Sequence, residues 1–118
     1  MREIKFRAWD NERMWYGDEL RYYHLFPTQH PESNMVWMQY TGLKDKQGKE
    51  IYEGDIISFF NYNELPKIGR IIYSGCKYSI EYEEDLIDLE FFWHIQGIEV
   101  IGNIYENPEL IIIQNQRG

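Results

Sequence analysis

The chain has 118 residues, with four Trp, ten Tyr and six Phe, and a net charge of −8. This is the length of one domain, and the hydrophobic fraction of 43% excludes a disordered chain. The acidic charge disfavours nucleic acid as a partner, because affinity for phosphate backbones comes largely from Lys and Arg. Aromatic and β-branched side chains favour sheet over helix, so we expect residues 1–118 to form a single, mostly β domain.

The beginning of the chain alternates apolar with polar residues. In "EIKFRAWD", Ile4, Phe6 and Ala8 share one face, which predicts a strand. "DNERM" predicts a turn, because Asp and Asn side chains can bond their own backbone. With "MWYGDEL", residues 3–20 are expected to form an N-terminal hairpin. "FPTQHPESN" is typical of a surface loop, since each proline removes a backbone donor.

The middle of the chain predicts a second hairpin and three further strands. The turn "KDKQGK" separates "MVWMQYTGL" from "EIYEGDIISFF". We expect Gly48 to supply the positive φ of this turn and Gly54 to allow a sharp bend before "IISFF". After the loop "NYNELPK", strands are predicted in "IGRIIYS" and "YSIEYE", joined by the turn "SGCK".

The last third of the chain is predicted as two strands and a helical turn. Apolar residues at every second position favour a strand over a helix in the segment that follows Asp85: Ile87, Leu89, Phe91, Trp93 and Ile95. "IEVIGNIYE" predicts the final strand. "NPEL" predicts one helical turn, with Asn107 as N-cap and Pro108 at the first helical position. Strands separated by turns at this spacing indicate a small barrel or sandwich.

The second hairpin carries the best cluster of basic and aromatic residues. Its members are the candidate partner-binding residues of the chain: Tyr40, Lys44, Lys46, Lys49 and Tyr52. Proteins that bind single-stranded nucleic acid pair such lysines with stacking rings. Acidic residues interleave the lysines and cancel most of the local field, however, and mixed charge also suits a soluble hairpin tip.

The histidines and the cysteine do not predict a metal site or a catalytic site. A structural zinc site needs closely spaced pairs of ligands, which His24, His30, His94 and Cys76 do not provide. A nucleophilic pair of Cys76 and His94 is an alternative. "SGCK" nevertheless predicts a hairpin turn, where no helix N-terminus activates the thiol. We predict no catalytic residue, no metal and no cofactor.

An acidic run lies between residues 81 and 90. Its members are Glu81, Glu83, Glu84, Asp85, Asp88 and Glu90. Paired carboxylates can act as acid and base or bind Ca²⁺ or Mg²⁺, but this run lacks the ligand order and central glycine of a calcium loop. We expect a solvated strand face. Mimicry of DNA phosphates toward a basic host protein is an alternative.

Targeting and membrane segments are not predicted. The opening "MREIKFRAWD" carries charges every second or third residue, unlike a signal peptide. The longest apolar run, Leu110 to Ile113, is far shorter than the roughly 20 residues that span a bilayer. With Cys76 as the only cysteine, an intrachain disulfide is excluded. We expect a cytoplasmic protein.

Three blocks of the sequence resemble the YopX family: "MREIKFRAWD", "MQYTGLKDKQGKEIYEGDII" and "IEVIGNIYENPEL". That family comprises phage and prophage proteins, chiefly of Gram-positive bacteria, with no established biochemical activity. Residues 17–35 and 60–97 show no family pattern. The resemblance implies a mostly β fold with a small SH3-like, partly open barrel, and an accessory role for a phage in its bacterial host. It transfers no catalytic residue to this chain.

We therefore expect a non-enzymatic phage or prophage accessory protein that acts through protein–protein contacts. Self-association to a homo-oligomer is expected because one small barrel has limited room for so many large rings, and exposed rings mark contact surfaces. A nucleic-acid-associated module is the alternative, by analogy with other small barrels. An enzyme is the third hypothesis.

Overall fold

The structure, a computed structural model, describes residues 4–19, 35–60, 66–95 and 97–111. The predicted proline-containing loop around Pro27 and Pro31 lies outside these residues, as do residues 61–65 of the second predicted loop. Within the described ranges the protein is mostly β, as predicted, and its two antiparallel sheets curl into a half-barrel. No helix among these residues has the length and apolar character needed to cross a membrane.

The first sheet has four antiparallel strands. They are β1 (Phe6–Trp9), β2 (Met14–Tyr16), β3 (Val36–Lys44) and β4 (Glu50–Tyr52), in the spatial order β2-β1-β3-β4. A short 3₁₀ helix, Gly17–Glu19, follows β2. The predicted N-terminal hairpin is confirmed. In its turn, Asp10 Oδ1 accepts the N–H of Glu12 and of Arg13 at 2.8 Å each.

The second sheet has five antiparallel strands. They are β5 (Asp55–Phe60), β6 (Pro66–Ser74), β7 (Lys77–Tyr82), β8 (Asp85–Asp88) and β9 (Glu99–Asn103), in the spatial order β8-β7-β6-β5-β9. The predicted turn between β6 and β7 is confirmed, with Gly75 and Cys76 at φ of 58° and 68°. A helix, α1 (Leu89–Ile95), lies between β8 and β9.

The main core lies between the second sheet, β4 and α1. Its fully buried members are Ile51, Ile57, Phe59, Ile71, Ile80, Leu89 and Ile98. The Phe59 ring packs edge-on against Tyr82 and Phe92, with ring centroids 5.5 Å and 5.3 Å away. Gly69 allows β6 to approach β7 closely, since a Cβ there would lie 2.7 Å from Cγ2 of Ile80. The isoleucine-rich strands of the sequence thus form one continuous apolar interior.

The strand predicted for Ile87 to Ile95 is wrong beyond Asp88, where α1 begins. Asp88 Oδ1 accepts the N–H of Phe91 at 3.1 Å, which is the N-cap bond that starts a helix. The same segment also satisfies the helical spacing of three and four, since Leu89, Phe92 and Trp93 pack against the core while Phe91 is exposed. In so short a run, a strand period of two and a helical period predict some of the same buried positions. The N-cap bond of Asp88 and the packing against the core favour the helix.

The predicted C-terminal helical turn is confirmed, with helical geometry at residues 109–111. The Leu110 N–H bonds to the backbone oxygen of Asn107 at 3.2 Å. The side-chain oxygen of Asn107, however, accepts the N–H of Asn103 at 3.1 Å and lies over Gly102. A Cβ on Gly102 would come within 2.5 Å of that oxygen, so this glycine lets the helical turn fold back on the end of β9.

A buried ion pair joins the two sheets. Arg7 in β1 and Asp55 in β5 have side chains only 3% and 2% exposed, and Nη2 lies 2.9 Å from Oδ1. The same Nη2 donates to the Glu53 carbonyl at 3.1 Å, and the Tyr52 N–H donates to the other Asp55 oxygen at 2.7 Å. The guanidinium also lies 4.7 Å from the centre of the Tyr52 ring. Burial raises the pKa of Asp55, while the Arg7 charge and the Tyr52 N–H oppose that rise.

We expect Arg7→Met to lower the free energy of unfolding by about 3–5 kcal/mol, because it leaves the Asp55 carboxylate buried without its cation. The double variant Arg7→Met with Asp55→Asn should lose less than the sum of the single losses. Urea denaturation measures each. The matched control is Lys77→Met, which removes an exposed partner of Asp88 and should cost less than about 1 kcal/mol. An Arg7→Met loss as small as that of the control would contradict the role of the pair.

Candidate functional site

The turn of the second hairpin is organised by one carboxylate. Asp45 is buried, and its Oδ1 accepts the N–H of Gln47 and of Lys49 at 2.9 Å each. Its Oδ2 accepts the N–H of Val100 in β9, also at 2.9 Å. The positive φ of +88° at Gly48, as predicted, closes the turn. Asp45 therefore fixes the hairpin tip and joins it to the second sheet.

The electrostatics of Asp45 follow from these bonds. Burial alone would raise its pKa, but the N–H groups of Val100, Lys49 and Gln47 outweigh burial and hold the pKa of the carboxyl below its ordinary value of 3.8. The group is thus a structural anion, whose oxygens are already engaged by backbone donors.

The structure separates the predicted lysines from the predicted rings. Lys44, Lys46 and Lys49 are exposed at the hairpin tip. Tyr40 and Tyr52 are buried, only 3% and 4% exposed, and lie against each other with ring centroids 5.5 Å apart. The two tyrosines are therefore core residues in this structure and present no free face beside the lysines. Sequence spacing could not reveal this, because burial depends on the partner sheet.

The hairpin tip instead adjoins two aromatic side chains of α1 that the sequence did not connect with it. The Trp93 indole N–H donates to the Lys44 carbonyl at 2.7 Å, and the Lys46 N–H donates to the Ile98 carbonyl at 3.0 Å. Between these bonds lies a hollow of about 280 Å³, here called the turn–helix hollow. It is lined by Lys44, Asp45, Lys46, Trp93, His94, Gly97 and Ile98.

A second surface of interest lies on the first sheet. An open groove of about 650 Å³, here called the aromatic groove, is lined by Ile4, Lys5, Phe6, Tyr16, Gly17, Glu19, Trp37, Glu50 and Tyr52. Ile4, Phe6, Tyr16 and Trp37 are large side chains that remain exposed to solvent. The alternation of "EIKFRAWD" predicted that Ile4 and Phe6 share one face of a strand. It did not predict whether that face is exposed to solvent.

Cys76 and His94 line different hollows. Cys76 is exposed in the β6–β7 turn and borders a hollow of about 150 Å³ together with Lys77, Asp88 and Glu90. Asp88 in that hollow already caps α1 and pairs with Lys77 at 3.3 Å. His94 lines the turn–helix hollow. In the described ranges no three His, Cys, Asp or Glu side chains are grouped to hold a metal ion, and His24 and His30 lie outside those ranges.

The acidic run is divided among several structural roles. Glu81 pairs with Arg70 on the neighbouring strand β6. Glu83 lies in the β7–β8 turn with a φ of 55°, and Glu84 is exposed beside it. These positions and the N-cap role of Asp88 explain most of the acidic residues in the run, and no bound ligand is needed to explain them.

Comparison with known proteins identifies relatives over nearly the whole chain. A family model described as "YopX protein" matches residues 5–112, which confirms the resemblance of the three sequence blocks. The crystal structure of protein EF1440 from Enterococcus faecalis is 27% identical with a TM-score of 0.63, covering 94% of this chain and 99% of that chain. Protein yopX from Bacillus subtilis is 21% identical with a TM-score of 0.62, covering 90% and 96%, and shows the fold alone. The curated proteins gave no match.

The pH dependence of stability tests the role of Asp45. We expect Asp45→Asn to lower the free energy of unfolding at pH 7 by about 2 kcal/mol, because an amide has one acceptor oxygen where the carboxylate has two. The pKa of folded Asp45 lies below 3.8, so this contribution is present above that pH and is lost as the pH falls through the folded-state pKa. The difference from the native chain should shrink below about pH 4.

Urea denaturation at neutral and acidic pH measures this difference. Glu84→Gln, which removes the same charge from an exposed side chain, is the control and should change stability by less than about 0.5 kcal/mol. A loss for Asp45→Asn that is independent of pH would contradict the assigned role of the charge.

Proposed function

We propose that this chain, which belongs to the YopX family, is a non-enzymatic accessory protein of a phage or prophage. It acts in the cytoplasm of the bacterial host through protein–protein contacts and associates with further copies of itself. The single observation that carries this proposal is the aromatic groove, a solvent-exposed apolar surface on a small acidic protein.

The groove has the apolar material that an interface needs. Phe6 is 43% exposed and Trp37 is 52% exposed, on adjacent strands β1 and β3. Covering this apolar surface with a partner removes it from water, which favours association. Large aromatic side chains are also the residue types that dominate the energetics of protein interfaces. This surface therefore supports association through the first sheet.

The charges around the groove favour a second copy as the occupant. Lys5 pairs with Glu50 at 2.6 Å, and Arg13 pairs with Glu19 at the other border. The local charge is thus largely compensated within the chain. Two copies that each carry a net charge of −8 repel one another, so they associate best through a surface with little net charge of its own.

The separation of Cys76 from His94 supports a role without catalysis. A nucleophilic cysteine needs a base within hydrogen-bond reach and a positive surrounding potential. The thiol instead borders two carboxylates and a lysine that is paired with one of them, Asp88, while His94 lines the turn–helix hollow.

We also propose that the half-barrel is of the SH3-like, partly open kind. β3 is nine residues long and passes from pairing with β1 to pairing with β4 across an irregularity between Tyr40 and Lys44. β5 shifts register against β9 between Ile56 and Ile57. Such irregularities bend strands and allow a sheet to curl. The bond from Val100 to Asp45 then ties the far edge of the second sheet to the hairpin tip.

A nucleic-acid-associated role is the second candidate function. It is favoured by the exposure of Lys44, Lys46 and Lys49 on one hairpin tip, and by the use of small barrels in nucleic-acid binding, which is an analogy of fold. The net charge of −8 opposes it.

Light scattering coupled to size exclusion tests the self-association. We expect the native chain to elute as an oligomer at tens of micromolar, and Phe6→Thr with Trp37→Thr to shift it to the monomer by removing the apolar contact. Threonine keeps the strand propensity of both positions. Phe91→Gln on α1 removes an even more exposed ring outside the groove and should leave the oligomer unchanged. A native chain that is monomeric at this concentration would remove the proposal.

A gel shift at low salt tests the second candidate. If it holds, the native chain retards single-stranded DNA, and the combined variant Lys44→Glu, Lys46→Glu and Lys49→Glu abolishes the retardation, because three cations become anions. Absence of any shift by the native protein would dispose of nucleic-acid binding.

A further inference from the structure

We propose that the turn–helix hollow binds a phosphate group attached to an aromatic base, as in a nucleoside monophosphate. The inference does not depend on self-association through the aromatic groove. It differs from the cluster predicted from sequence, because the aromatic side chain is Trp93 of α1 and not a tyrosine of the hairpin.

Three side chains that can donate hydrogen bonds to a phosphate line the hollow. Lys44 and Lys46 are exposed on the hairpin tip, and His94 is exposed in the last turn of α1. Lysine ammonium groups donate charge-assisted hydrogen bonds to phosphate oxygens, and an imidazole N–H can donate a further one. Their convergence from two separate elements places several hydrogen-bond donors for a phosphate around one hollow.

The lysines are held near the hollow by their own backbones. The Lys44 carbonyl accepts the Trp93 indole N–H at 2.7 Å, and the Lys46 N–H bonds to Ile98 at 3.0 Å. The stem of Lys46 lies over Gly97, where an added Cβ would meet its Cδ at 3.4 Å. Because these contacts exist without a ligand, little conformational freedom of the backbone is lost on binding.

The negative groups beside the hollow are already engaged. The Asp45 carboxylate accepts three backbone N–H groups. The Glu99 carboxylate accepts the Gln47 amide at 3.0 Å and lies 3.9 Å from Lys46 Nζ, too far for a direct hydrogen bond. Lys46 can therefore turn toward an incoming phosphate without breaking a short ion pair. The C-terminal end of α1 adds at most about half a negative charge, and the two engaged carboxylates keep theirs, so binding relies on direct hydrogen bonds from Lys44, Lys46 and His94 and not on a net positive charge of the hollow.

The size and the apolar wall of the hollow favour a base next to the phosphate. Its volume of about 280 Å³ approaches the roughly 300 Å³ at which small-ligand pockets begin. Trp93 is half-buried, with its ring 5.0 Å from that of His94, and it lines the hollow, where we expect a base to contact it. Inorganic phosphate would use the cations alone, whereas a nucleotide uses the cations and the ring.

Amide chemical shifts of the ¹⁵N-labelled protein, titrated with adenosine monophosphate, test the proposal. We expect saturable shifts at Lys46, His94 and Gly97 and at the Trp93 indole. Lys46→Gln should weaken binding about tenfold by removing one charge-assisted bond. The matched control is Lys49→Gln, which removes the same charge from the same hairpin outside the hollow and should change affinity less than about twofold. Preserved spectral dispersion shows that both variants are folded.

Three further probes identify the ligand chemistry. Inorganic phosphate and adenosine without phosphate should each bind more weakly than the monophosphate, because each makes only part of its contacts. If a short single-stranded oligonucleotide binds more tightly than the monophosphate, the ligand is a nucleic acid. If it binds more weakly, the ligand is a free nucleotide. Absence of shifts with every probe, equal binding of adenosine, or an equal loss in Lys46→Gln and Lys49→Gln would each overturn the proposal.

Discussion

The buried contact of Arg7 with Asp55 is the constraint on which the architecture depends. It bonds the first strand of one sheet to the first strand of the other, across 48 positions of sequence. A charge pair with almost no solvent contact is stable only when its remaining polar atoms also find partners. Here the Glu53 carbonyl, the Tyr52 N–H and the Tyr52 ring provide most of them, while Arg7 Nε is buried without a hydrogen-bond partner among the described residues. The two sheets are thereby held at a defined angle, and the surfaces between them become defined as well.

The backbone around this pair is equally constrained. Gly54 has a φ of +87°, and a Cβ there would lie 3.0 Å from the Met38 sulfur and 3.8 Å from Arg7 Nη2. Its N–H bonds to Ile71 at 2.8 Å, and its carbonyl accepts the N–H of Ile104 at 3.0 Å. One glycine thus bends the chain, makes room for the arginine, and joins β6 and the turn after β9 to this corner. A side chain at this position would disturb all three contacts at once.

The fold leaves two surfaces of different chemistry at separate places. On the first sheet, Phe6 and Trp37 remain exposed along the aromatic groove. Packing α1 onto the open end of the core brings Trp93 and His94 to the hairpin tip, where the lysines are. The first surface suits another protein surface, and the second suits a small anion. Under the two proposals, one acidic domain would carry an apolar contact surface and a separate surface for an anion.

Local chemistry was predictable from the sequence. Gly48, Gly54 and Asp10 each act through their own backbone conformation or through a bond two or three residues away, and all three behave as predicted. The period-two pattern also gave the mostly β composition correctly. It failed from Leu89 onward because seven residues are too few to distinguish two periods, and the N-cap bond from Asp88 decided for the helix.

By itself, then, the sequence determined where the chain turns, which residues form the strands of the main core, and which family the chain belongs to. The tertiary structure alone decided the bonds between distant residues, such as Arg7 to Asp55 and Asp45 to Val100. It also decided that Tyr40 and Tyr52 are buried and that Trp93 meets the lysines. The physical reason is that burial and long-range pairing depend on which faces of two separate elements meet, and periodicity within one element carries no information about its partner.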